Sequence, residues 1–435
     1  MKIRLRFLVI LVMLIIFFTD QAFWEYYTTN EDDPLLYKLN YVLVAVSSVV
    51  CLLYYRYLPV LLRWWLGLTL AYIGLLMLEA YQMQGHWFIY PHVFMKLLVL
   101  LMPPGVYLLH RRFGMPHLRV LVAVLLLVLM GNLLLYHPDS LSWSAFADNK
   151  RGFMTPSAHL FLLLVLLSLN WYLQRPSFTS MGVFFLSMAM VFFLQHRTIW
   201  ACTAVALPVN LLLLRRVPTA VLSWRRLSLL VTIPLLAISL GGLATVLDNP
   251  DVMRRIDESI EDIRNPNKQG TGEWRRLQRE AYTPFVEERP LMGWRLEGFE
   301  LPVQFYDPSS NLPMWEDFTG HHFHSFYLDR MFYLGIVGVL LTLTIPIILV
   351  YRRLRQPTPL TPEMVALISF GSTFLVYAYS YDWSFYHYAF LGFMLAALAE
   401  PVPVMSPVPV PAPPLPGSAT WPPAPLSAHF SAQEA

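Results

Sequence analysis

The chain has 435 residues, of which 56% are hydrophobic and 15% aromatic but only 14% charged, with a mean hydropathy of +0.50. Soluble domains carry about 25% charged residues, so the composition argues against a soluble enzyme, a secreted disulfide scaffold and a nucleic-acid binder. The net charge of +3 says little, because in a membrane protein the placement of Lys and Arg matters more than their sum.

About twelve apolar stretches approach the ~20 residues that a ~30 Å hydrocarbon layer requires. They centre on residues 6–19, 39–55, 64–82, 88–109, 119–136, 158–174, 178–194, 199–214, 227–247, 326–350, 364–381 and 385–399. The first has Lys2, Arg4 and Arg6 ahead of its apolar run, as a signal peptide would. Because Thr19-Asp20-Gln21-Ala22-Phe23 offers no small-residue cleavage site, it is read as a span. Cys51 and Cys202 both fall inside apolar runs and suggest neither a disulfide nor a metal site.

Numbering the loops alternately puts Arg4, Arg6, Arg56, Arg63, Arg111, Arg112, Arg119, Arg175, Arg215, Arg216, Arg225, Arg226, Arg352, Arg353 and Arg355 on one side. By the positive-inside rule that side is the cytoplasm, with both termini on it. The other side receives Glu31, Asp32, Asp33 and Asp139, and one long polar stretch from about Asp248 to Ser325. The sequence therefore divides into spans over 1–247, an outer loop over 248–325, spans over 326–400, and a Pro/Ala/Ser-rich cytoplasmic tail over 401–435 too poor in core residues to pack. The expected fold is all-α and polytopic, with short helices in the long loop.

Only that loop is long enough to build a site. Val252, Ile256, Ile260 and Ile263 recur at helical spacing among charges, so this run is expected to lie on the membrane or on the bundle. A second helix is expected after Thr271 as N-cap, with Trp274, Leu277, Ala281 and Phe285 as its apolar stripe and Pro284 as a kink or end. On its other face Arg275 and Arg279 form an i, i+4 like-charge pair, which is unfavourable by a few tenths of a kcal/mol without an anion nearby. Arg276 has Glu280 four residues on, whereas Arg275 has no carboxylate at that spacing, so Arg275 is the better anion-binding candidate against the alternative of a solvated basic face.

Arg197 occupies a short outer turn between two apolar spans, where it either snorkels to headgroups or binds an anion. His321, His322 and His324 precede the tenth span. A zinc reading with Glu316 or Asp317 lacks a second paired cluster, and no metal is expected. A neutral imidazole at the membrane boundary suits general-base work instead. Glu79 and Lys96 stand at similar depth on either side of Gly85, where an ion pair between neighbouring helices is the simple reading. Lys96 or Arg330 holding an anionic headgroup is the sharper one. Lys96, Arg276, Arg279, His322 and Arg330 are accordingly candidate substrate-binding residues.

His324-Ser325, nine residues, then Gly335-Ile336-Val337-Gly338 resembles the motif of bacterial O-antigen ligases, close to that of the related polymerases. Trp274-Arg275 followed by Pro290-Leu291-Met292-Gly293 resembles the family's loop segment, and Arg197 resembles its other essential arginine. The chain departs from the pattern at Ala201, where Leu is common, and at Ser325, where Asn is common. The resemblance covers about residues 180–350. It implies a GT-C-like glycosyltransferase of the bacterial inner membrane that uses an undecaprenyl-diphosphate-linked glycan as donor, without cofactor or metal. The acceptor it implies is lipid A-core for a ligase, or a second lipid-linked glycan for a polymerase. His324 would be the general base, with Arg197 and Arg275 on the diphosphate. A lipid-linked glycan transporter is the rival from another class, since about twelve spans fit that too, but the polar weight here sits in one unmatched loop rather than in two related halves.

Overall fold

The computed structural model describes residues 34–142, 155–237, 270–302, 305–306, 321 and 323–399, with scattered positions between 250 and 261. The expected first span, the tail, His322, Glu316 and Asp317 lie outside them, and the amphipathic run after Asn249 is described only in part.

Among the described residues the regular elements are helices, in the order α1 Pro34–Tyr54, α2 Val60–Gln84, α3 Pro91–Leu98, α4 Met102–Phe113, α5 Leu118–Tyr136, α6 Thr155–Gln174, α7 Phe178–Phe193 and α8 Arg197–Leu214. There follow α9 Trp224–Ala237, α10 Gly270–Glu288, the single turn α11 Glu297–Glu300, α12 Phe326–Arg355, α13 Pro362–Ser380 and α14 Phe385–Leu398. A short 3₁₀ segment, Val99–Leu101, joins α3 to α4, so the expected span near 88–109 is one crossing from Pro91 to Phe113. Seven of these helical segments are long and apolar enough to cross a bilayer. The chain is a polytopic, multi-pass helical membrane protein, with seven such spans among the described residues where the sequence suggested about twelve.

Helix α6 is at the centre. Its side chains are mainly apolar on every face and buried along nearly its whole length, as required of a helix with neighbours on every side. It packs on α5, α7, α8 and α13. Two polar ties cross it inside the bundle. Asn170 donates to Asn210 Oδ1 at 3.0 Å and to the Pro362 carbonyl at 2.8 Å. His159 lies 2.7 Å from Tyr386 and 2.8 Å from Thr373. In a medium without water a buried polar group left without a partner costs several kcal/mol, so such ties fix which helix faces meet.

The loop helix differs from its expected form in two ways. It already includes Gly270, ahead of Thr271, and it continues through Pro284 to Glu288. Its buried face is formed by Gln278 and Tyr282 rather than by the expected stripe alone. Tyr282 sits edge-on to Phe323 and Phe332, ring centroids 4.8 and 5.5 Å away, and thereby ties α10 to the start of α12.

Candidate active site

Helix α12 anchors the elements around the site, and its backbone is broken at Gly335, where φ is 62° and ψ −165°. An unbroken helix would bond the Ile336 and Val337 N–H groups to the carbonyls of Phe332 and Tyr333. Here Ile336 N donates to Pro290 O at 2.9 Å and Val337 N to Leu291 O at 3.2 Å, while Trp294 N and Arg295 N donate to Phe332 O and Tyr333 O at 2.8 and 2.9 Å. The turn segment from Pro290 to Arg295 is thus inserted into the helix, and these four backbone groups opened by the break each find a partner. Insertion needs two residues without side chains. A Cβ on Gly335 would overlap the Leu291 carbonyl, and one on Gly293 would come within 2.6 Å of the backbone of residues 332–334. The Gly-x-x-Gly and Pro-Leu-x-Gly patterns are therefore two halves of one joint.

Helix α2 fastens this joint from the side. Glu79 pairs with Arg295 at 2.6 Å, and the Tyr72 hydroxyl lies 3.4 Å from both the Met292 and Leu334 carbonyls. These are long bonds from one hydroxyl, so Tyr72→Phe is expected to cost only ~0.5–1 kcal/mol, read as a small drop in unfolding midpoint in detergent.

Lys96 is not paired with Glu79, as its depth suggested. Its ammonium lies 2.5 Å from Asp329 and 4.5 Å above the Tyr333 ring. Arg330 binds the other oxygen of Asp329 and donates to the Tyr388 hydroxyl at 2.7 Å. Lys96, Asp329 and Arg330 are all almost wholly buried, so both cations are spent on one carboxylate inside the protein. The correction has a physical reason: the partner of a buried charge is set by which helix packs beside it, and that helix is α12. The cluster locks the first turn of α12 and with it His324, two residues ahead of that turn.

His324 has aromatic neighbours on two elements. Its ring centroid is 4.6 Å from Trp274 of α10 and 6.4 Å from Tyr381 at the end of α13, the latter nearly parallel at 22°. The Arg275 guanidinium lies over the same Tyr381 ring, 4.7 Å from its centroid. Arg279 repeats the arrangement one turn on, 4.7 Å over Tyr379. Partial burial, and after it the Arg275 charge, push the His324 imidazole down to about 4. At neutral pH it is therefore uncharged and able to accept a proton. Arg275 Nε is buried and has no hydrogen-bond partner among the described residues, whereas Arg276 is held by both oxygens of Glu280 at 2.6 and 2.7 Å.

Arg197 is the first residue of α8, after a turn in which buried Gln195 adopts φ 53°. Helices α8 and α13 run antiparallel, since Cys202 contacts the Thr373 carbonyl while Asn210 and Pro362 meet at Asn170. Five residues, ~7.5 Å, separate Arg197 from Cys202 and likewise Ala378 from Thr373, so Arg197 lies at the depth of Ala378. The Ser325 hydroxyl donates to the Ala378 carbonyl at 3.2 Å. Arg197 is therefore level with the start of α12, at a helix N-terminus whose dipole already favours an anion.

His321 stands apart. Tyr282 bonds one of its ring nitrogens at 2.6 Å and the Leu301 carbonyl takes the other at 3.0 Å, so it braces the loop. The candidates drawn together are thus His324, Arg275 and, one turn on, Arg279, with Arg197 at their level. Lys96, Arg330 and Arg276 hold carboxylates instead. Sequence reasoning missed Tyr381 and Asp329. A run of tyrosines at the outer end of a span reads as an ordinary interfacial belt, and Asp329 carries no local pattern.

Residues 162–343 match the family model described as O-antigen ligase. That segment includes Arg197, Arg275, His324 and both glycine patterns, and it ends before Tyr379 and Tyr381. No curated protein sequence matches the chain at a significant level.

Proposed function

We propose, from the match of residues 162–343 to the O-antigen ligase family model, that this chain transfers a glycan from undecaprenyl diphosphate to an acceptor hydroxyl at the periplasmic face of the bacterial inner membrane. The preferred acceptor is lipid A-core, which makes the protein an O-antigen ligase. The observation that carries the reading is the meeting at one tyrosine ring of a neutral imidazole, His324, and a guanidinium, Arg275, that no carboxylate pairs with among the described residues.

The acceptor oxygen attacks the anomeric carbon as His324 takes its proton, and the bond from that carbon to the diphosphate oxygen breaks. One displacement inverts the anomeric centre. The leaving lipid diphosphate gathers negative charge, which Arg275 and Arg197 would bind through planar, charge-assisted forks. Charge stabilisation of this kind contributes several kcal/mol where water is excluded, and no step calls for a metal. Purified protein in nanodiscs, given an undecaprenyl-diphosphate glycan and lipid A-core, should form the glycosylated acceptor. Product only when a second lipid-linked glycan replaces lipid A-core would make it a polymerase, and movement of donor across vesicles without product would make it a transporter.

The coupling of His324 to Arg275 gives a signed pH prediction. The base works only when unprotonated, so kcat/KM, which reports the free enzyme, should fall as pH drops through about 4. A bound diphosphate neutralises Arg275 and removes part of what depresses the imidazole. The acid limb of kcat should then lie at higher pH than that of kcat/KM. A kcat limb at the same or lower pH would argue against the pairing.

A further inference from the structure

An arginine that must receive a diphosphate needs a fixed position, yet it must keep its N–H groups available. A carboxylate would fix it and consume them, as Glu280 does with Arg276. An aromatic ring holds a guanidinium by its face and leaves the edge, where every N–H lies, free. Arg275 is held in this second way.

Tyr381 is suited to be that ring. It caps the C-terminus of α13, with its N–H on the Tyr377 carbonyl at 3.0 Å, and its own carbonyl accepts from Phe326 N at 3.2 Å. That second bond ties it to the first residue of α12, two after His324. The next residues secure the same turn. Asp382 lies 3.7 Å from the buried Arg330, and Trp383 stacks on Phe326 at 4.5 Å. The ring of Tyr381 consequently has a rigid mount, touches Arg275 on one element and lies parallel to His324 on another. It is outside the segment matched to the ligase family.

We propose that Tyr381 is a positioning residue of the transfer site, its ring holding the Arg275 guanidinium face-on beside His324 so that the edge of the guanidinium meets the donor diphosphate. The proposal rests on the function inferred above. Tyr379 and Arg279 form a second rung of the same design.

The test uses the full chain in nanodiscs with undecaprenyl-diphosphate glycan as donor and lipid A-core as acceptor, rates being normalised to inserted protein. Tyr381→Phe keeps the ring and should transfer within about twofold of the parent, while Tyr381→Leu should lose roughly 3- to 30-fold in kcat/KM, the range of one such contact. Tyr381→Met fills the space without a π face and decides the matter if the Leu variant inserts poorly. A residue acting through Arg275 has little left to lose once Arg275 is changed, so Tyr381→Leu added to Arg275→Lys should cost less than it does alone. Three results would overturn the proposal: full activity without the ring, a Phe variant as slow as Leu, or losses that simply multiply in the double variant. His324→Ala in the same preparation separates the two readings. If it transfers normally, the underlying function is wrong, whereas an inactive His324→Ala beside a fully active Tyr381→Leu refutes only the role of Tyr381.

Discussion

His324→Ala is expected to lower glycan transfer ~10²- to 10⁴-fold, the usual contribution of a positioned general base. The substitution removes the imidazole that, among the described residues, lies beside Arg275, yet it touches neither the Lys96–Asp329–Arg330 cluster nor the Gly335 joint. Inserted protein should be unchanged, and donor binding should weaken far less than turnover, because the proposed function assigns the diphosphate to the arginines. Rates of product formation in nanodiscs, with donor binding measured on the same preparation, check this. Undiminished transfer would remove the catalytic role of the imidazole.

Gly335→Ala is expected to act on the fold rather than on the chemistry. Its φ of 62° and ψ of −165° lie in an essentially glycine-only region, which costs an alanine roughly 1–3 kcal/mol, and relieving the overlap with the Leu291 carbonyl adds roughly 1–3 kcal/mol. The joint can meet that demand only by withdrawing the segment from Pro290 to Arg295, which would leave backbone groups without partners in a medium that has no water to offer. Withdrawal also uncouples α10, which carries Arg275, from α12, which follows His324. The expected outcome is a loss of ~3 kcal/mol or more in stability, seen as a lower unfolding midpoint in detergent, together with loss of transfer. A variant with normal stability and normal transfer would show that the inserted segment does not hold the two elements together.

The spans were legible because apolar runs near 20 residues mean one thing in a chain with so few charges. Where residues are described, α2, α5, α6, α8, α12 and α13 lie where hydropathy put them, and the Asn170–Asn210 tie between α6 and α8 was invisible because hydropathy does not say which faces meet. His324 and Arg275 stood out as residue types in a single polar loop, and the Arg276–Glu280 pair followed from i, i+4 spacing alone. The partner of Lys96 did not follow. Asp329 is 233 positions away along the chain, whereas Glu79 was near at hand, and only packing decides between them. Pro284 does not end its helix, for a related reason: a proline removes one helical hydrogen bond, but the packing of Tyr282 and the bond from Trp294 to the Phe285 carbonyl hold the next turn in place. The insertion of one glycine motif into another lay beyond the sequence as well, since each pattern alone reads as an ordinary turn or a close helix crossing.

The most direct measurement is a structure of the protein with a bound undecaprenyl-diphosphate analogue. The account predicts phosphate oxygens within ~3 Å of the Arg275 guanidinium edge, with that guanidinium still on Tyr381, Arg197 facing the same diphosphate, and His324 turned to the space beside the anomeric carbon. A diphosphate seated elsewhere, with Arg275 and His324 remote from it, would contradict the account.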